Sequence, residues 1–134
     1  MWKGGMLYRD GYVYEGFDYS DARGEIIMNY RKGQGTYVIN VTTENLKPET
    51  EYELTYYDEE INRHELLGFF TTDEEGYGHI NVRDWPVEYN PTIEGARINV
   101  RIPDVQGSWV LSTYHGTADE LFEDFDAVGS ERGE

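Results

Sequence analysis

Gly35-Thr36-Tyr37-Val38-Ile39-Asn40-Val41-Thr42-Thr43-Glu44-Asn45-Leu46-Lys47-Pro48-Glu49-Thr50-Glu51-Tyr52-Glu53-Leu54-Thr55-Tyr56-Tyr57 holds two runs of strict alternation around one turn. Tyr37, Ile39 and Val41 point one way and Val38, Asn40 and Thr42 the other. Tyr52, Leu54 and Tyr56 repeat the pattern after the turn. Period-two alternation makes each run a strand with one face on a core. Between them Leu46-x-Pro48-x-Thr50-x-Tyr52 reads as a corner: Pro48 fixes the backbone, Leu46 plugs the end of the core, and the Tyr52 hydroxyl is expected to reach back to the preceding connection.

Outward from this stretch, further candidate strands recur at short intervals. They are Met6–Tyr8 and Tyr12–Tyr14 flanking Arg9-Asp10-Gly11, then Glu25–Arg31, Leu66–Thr72, Gly78–Arg83, Ala96–Ile102 and Ser108–Tyr114. Asp-Gly favours a tight hairpin between the first two. The fold class is therefore all-β, an antiparallel two-sheet Greek-key β-sandwich of about eight or nine strands. Its core is expected from Ile26, Met28, Tyr37, Ile39, Val41, Tyr52, Leu54, Leu67, Phe69, Ile80, Val82, Ile98, Val100, Ile102, Trp109 and Leu111. Residues 1–116 form the sandwich domain. Residues 117–134 form a short acidic C-terminal tail, partly flexible, in which Leu121, Phe122, Phe125 and Val128 lie at helix-like spacing.

The Leu46–Tyr52 corner resembles that of fibronectin type III and related immunoglobulin-like domains, over about 25 residues. There the corner comes late, with two strands to follow, whereas four candidate strands follow Tyr57 here, so the resemblance implies an extended or altered topology. Leu66 to Ile80, with Thr72-Asp73-x-x-Gly76-x-Gly78 at its centre, is similar to a hairpin of prokaryotic and viral extracellular sandwich modules. That likeness implies exported or virion-surface proteins and carries no site residues.

Composition narrows the function. The 134 residues carry 27 Asp and Glu against 11 Lys and Arg, a net charge of −16. A binder of nucleic-acid phosphates needs the opposite balance. Eight of the basic residues are Arg and three are Lys, which fits a high-salt setting, while the scarcity of alanine argues the other way. With no cysteine, stability rests on packing, bound ions or assembly contacts. The amino terminus lacks the basic and apolar runs of a signal peptide, and no apolar run is long enough to insert into a membrane.

No catalytic constellation stands out. The four serines lie in no nucleophile elbow, and His64, His79 and His115 show no metal-ligand spacing. Asp58-Glu59-Glu60 and Asp73-Glu74-Glu75 raise the prospect of calcium, but neither has the Asp-x-Asp-x-Asp-Gly spacing of a dedicated loop. No cofactor is expected, calcium standing as the alternative.

Three surfaces are candidates for binding. Arg83, Arg97 and Arg101 share one polar face if their strands are neighbours, where they meet either a neighbouring subunit or carboxylates of their own sheet. Leu121, Phe122 and Phe125 dock on a neighbour or cover an open end of their own sandwich. Trp85-Pro86-Val87-Glu88-Tyr89-Asn90-Pro91 offers Trp85 and Tyr89 for stacking on a ligand, or folds them over the core. The reading is a non-enzymatic structural or adhesive subunit of a virion or extracellular surface assembly, whose partners are copies of itself or other assembly proteins. The alternative is a carbohydrate-binding module using Trp85 and Tyr89, with a structural calcium.

Overall fold

Period-two alternation becomes hydrogen-bonded strand wherever the sequence carries it. The structure, a computed structural model, describes residues 2–31, 33, 35–86 and 96–113. Every regular element among them is a strand: β1 (Trp2–Tyr8), β2 (Val13–Tyr14), β3 (Phe17–Asp18), β4 (Arg23–Arg31), β5 (Thr36–Glu44), β6 (Glu51–Asp58), β7 (Arg63–Thr71), β8 (Gly78–Pro86), β9 (Ala96–Arg101) and β10 (Trp109–Ser112). Eight of them follow one hydrogen-bonded order, β7-β6-β9-β10-β1-β4-β5-β8, and β2 pairs with β3. All of these pairings are antiparallel.

β1 serves two groups of strands. Its residues Trp2 to Met6 pair with Met28 to Gly24 of β4, and Leu7 and Tyr8 pair with Ser112 and Leu111 of β10. The chain passes between the groups at the Leu46–Tyr52 corner, since β5 belongs with β4 and β8 while β6 belongs with β7 and β9. Inward side chains of the groups meet, as where Tyr56 of β6 sets its ring edge on Trp85 of β8 at 5.8 Å.

The corner is built from hydrogen bonds. Tyr52 is fully buried, and its hydroxyl accepts the Lys47 N–H at 3.1 Å. The same hydroxyl lies 2.7 Å from that of Tyr19, also buried, which follows β3. Thr72 joins the far side of the corner, donating its hydroxyl to the Lys47 carbonyl at 2.6 Å and accepting the Thr50 N–H at 3.0 Å. Burial first, and then the mutual hydrogen bond, raise the Tyr52 pKa; burial likewise raises that of Tyr19.

The first hairpin differs from expectation. Arg9-Asp10-Gly11 does turn, with the Tyr12 N–H donated to the Arg9 carbonyl, but β1 does not pair with β2. β1 is taken by β4 and β10, and β2 turns onto β3 through Glu15 (φ 48°) and Gly16 (φ 80°), the left-handed pair of a two-residue hairpin.

Most of the expected core is buried: Ile26, Met28, Tyr37, Ile39, Val41, Tyr52, Leu54, Ile80, Ile98, Val100, Ile102 and Leu111. Leu67 and Val82 pack against it partly buried, and Trp109 is partly exposed. Phe69 is a correction: it faces solvent and Phe70 takes the interior position. The cause is a register shift. Leu54 opposes Gly68 and Thr55 opposes Leu66, so Leu67 is an extra residue on β7 and the alternation reverses beyond it.

Candidate functional site

The three arginines do not form one face. β8 and β9 are consecutive in sequence, but β10, β1, β4 and β5 lie between them in the strand order. Arg83 is exposed on β8, away from the other two. Arg97 and Arg101 share β9 and turn to carboxylates of the adjoining segment. Arg101 Nη1 lies 3.1 Å from Glu53 Oε2, and its Nη2 donates to the Val105 carbonyl at 2.9 Å. Arg97 stands over the Tyr57 ring at 4.8 Å and 4.0 Å from Glu59. Arg101 is thus paired across its own sheet, and Arg97 is held between the Tyr57 ring and the turn after β6.

Trp85 requires a second correction. At 6% exposure it belongs to the core and offers no platform to a ligand. Tyr37 opposes Trp85 while Ile39 opposes Val82, so β8 gains a residue here. Asp84 takes it up with φ 62°, and the reversal that follows turns Trp85 inward. Tyr89, Leu121, Phe122 and Phe125 lie outside the described residues.

An apolar surface missing from the expected sites runs along β7. Leu66 and Phe69 point outward and are 54% and 51% exposed, and Ile61, in the turn before β7, is 64% exposed. β7 ends the strand order, and among the described residues it pairs only with β6. The signal lay in the doublets Leu66-Leu67 and Phe69-Phe70: on a strand one member of each must face out. Behind this strip Phe69 opposes Glu53, which opposes Arg101, and Tyr57 stacks on His64 at 4.2 Å.

Comparison with protein-family models, curated proteins and solved structures finds no match.

The acidic loops serve their own turns. Asp73 Oδ1 accepts the N–H groups of Glu75 at 2.8 Å and Tyr77 at 2.9 Å, and Asp58 Oδ1 accepts that of Glu60 at 3.1 Å. Among the described residues no three His, Asp or Glu side chains converge on a point where a metal ion would sit. A groove of about 530 Å³ lies near the corner, with Arg23, Glu25, Thr42, Glu44 and Tyr77 around a floor that includes Gly5 and Gly24.

Proposed function

We propose that the chain is a non-enzymatic structural or adhesive subunit of a surface assembly, of the virion or extracellular-filament kind, built as a two-sheet Greek-key sandwich. The split pairing of β1 and the Tyr56–Trp85 contact support the sandwich. The Tyr52 hydroxyl bond to Lys47 supports the immunoglobulin-like relationship. Partners are copies of itself or other assembly proteins.

One observation carries the assembly reading. Leu66 and Phe69 stand side by side on an edge strand whose other side has no strand among the described residues. An edge strand with outward apolar groups is a template for pairing with another chain. Each of these side chains still has about half its surface to bury, worth on the order of 1 kcal/mol apiece. Arg97 and Arg101 then border the contact, and Leu121, Phe122 and Phe125 remain the proposed second contact.

Light scattering tests this on the full chain, on a chain ending at Gly116, and on the full chain with Leu66→Lys and Phe69→Lys. Concentration-dependent assembly by the full chain, abolished by the two lysines, is expected. A monomer at every concentration, in low and high salt, would refute self-assembly.

A further inference from the structure

The groove beside the corner is made by a missing side chain. Gly5 on β1 is exposed, and a Cβ there would meet only the Gly24 carbonyl oxygen, at 3.9 Å. Gly5 opposes Glu25, and Glu25 opposes Thr42, so the three form one row across β1, β4 and β5. Arg23 opposes Glu44 in the next outward row. Any larger residue at position 5 would fill the floor of that row.

Its wall is preorganised. The Tyr77 backbone is held to Asp73 twice, by its N–H on the Asp73 carboxylate at 2.9 Å and by its carbonyl accepting the Asp73 N–H at 2.8 Å. Its ring is nonetheless 51% exposed and lines the groove. The groups around it are mixed in kind. Glu25 and Glu44 supply only acceptors, Arg23 supplies only donors, and the Thr42 hydroxyl does both. None of the three charged side chains takes part in an ion pair or side-chain hydrogen bond among the described residues. The volume, about 530 Å³, falls within the roughly 300–1,000 Å³ usual for small-molecule sites.

From this arrangement we propose that the Gly5–Tyr77 groove binds an uncharged oligosaccharide, with Tyr77 stacking on a sugar ring. Vicinal hydroxyls both donate and accept, which is what carboxylates beside a guanidinium satisfy together. Polyanions are opposed by the −16 charge of the chain. The site is independent of the β7 edge and uses neither Trp85 nor Tyr89, so it gives an adhesive subunit its own ligand.

The test is a printed array of neutral and acidic oligosaccharides probed with the labelled full chain. Retention of neutral members is expected. Gly5→Gln, whose side chain enters open space and leaves the core untouched, should abolish it. Tyr77→Ala, removing one stacking contact, should weaken it about three- to tenfold. Leu66→Lys should leave it unchanged, so failure of the assembly reading and failure of this site are told apart. Thermal melts confirm that each variant folds. Retention of acidic members alone, of none, or equal retention by Gly5→Gln would each overturn the proposal.

Discussion

Tyr52→Phe removes one oxygen and tests how the corner holds the two strand groups together. The deleted hydroxyl accepts from Lys47 N–H at 3.1 Å and shares a hydrogen with the Tyr19 hydroxyl at 2.7 Å. Both partners are left behind, and the Tyr19 hydroxyl is left in the core. Stranding a buried polar group costs about 1–3 kcal/mol, so the variant should lose about 2–3 kcal/mol. Tyr19→Phe strands less, because the Tyr52 hydroxyl keeps Lys47, and should cost about 1 kcal/mol. Once Tyr52 is Phe, the second substitution removes a hydroxyl that is already orphaned. The double variant should therefore cost no more than Tyr52→Phe alone, a shortfall from additivity of about 1 kcal/mol. Urea titrations of the four proteins give the cycle, and Tm should fall by roughly 10 °C for Tyr52→Phe. The same pair predicts an alkaline limb. Unfolded, both phenols ionise near pH 10; folded, burial holds their protons to higher pH. Their contribution is complete below pH 10. Above it the unfolded chain releases protons that the folded chain keeps, so stability falls by about 1.4 kcal/mol per pH unit per phenol until the folded pKa is reached. Tyr52→Phe should flatten that limb. Strictly additive costs, or a Tyr52→Phe loss below about 0.5 kcal/mol, would refute the reasoning.

Three further substitutions separate local causes. At Gly76 (φ 84°) a Cβ would run into the Leu46 carbonyl oxygen, whereas at Gly11 (φ 73°) it meets nothing within 4 Å. Gly11→Ala should thus cost only the left-handed strain, about 1–2 kcal/mol, and Gly76→Ala clearly more by chemical denaturation; equal costs would show that the Gly76–Leu46 approach is relaxed away. Trp85→Ala should lower stability by about 3–5 kcal/mol as a core truncation, and an unchanged melting temperature would return Trp85 to the surface.

The sequence was most legible where alternation runs unbroken. β5 and β6 bury Tyr37, Ile39, Val41, Tyr52 and Leu54 as their spacing requires, and the Tyr52 hydroxyl accepts the Lys47 N–H. Legibility failed at the bulges. One extra residue at Leu67 exchanges Phe69 for Phe70, and one at Asp84 sends Trp85 into the core. Both exchanges are nearly silent in local sequence, because a bulge is set by the pairing of two strands and not by either alone. The arginine face failed for a related reason. Arg83 and Arg97 lie close along the chain, but whether β8 neighbours β9 is decided by non-local pairing, to β5 in one case and to β6 and β10 in the other. The groove was illegible because its defining feature is an absence at Gly5, which acquires meaning only when β4 and β5 lay Glu25 and Thr42 in the same row.

Charge decides which face can bring two copies together, and salt reveals the decision. Each chain carries −16, so any approach of two copies begins against repulsion. An interface built on Arg97 and Arg101 could offset it only by taking them from their own partners, and Arg101 already holds the partly buried Glu53 at 3.1 Å. A neighbour's carboxylate would gain little by replacing another carboxylate. The β7 edge asks for no such exchange: Leu66 and Phe69 have unspent apolar surface, and burying it is insensitive to charge. The two interfaces therefore respond to salt with opposite sign. Screening shortens from about 10 Å at 0.1 M to about 3 Å at 1 M, which removes the general repulsion and weakens exposed ion pairs together. Assembly through β7 should strengthen over that range and assembly through the arginines should weaken. An association constant that falls as salt rises would therefore sink the β7 assignment, even if assembly itself were observed.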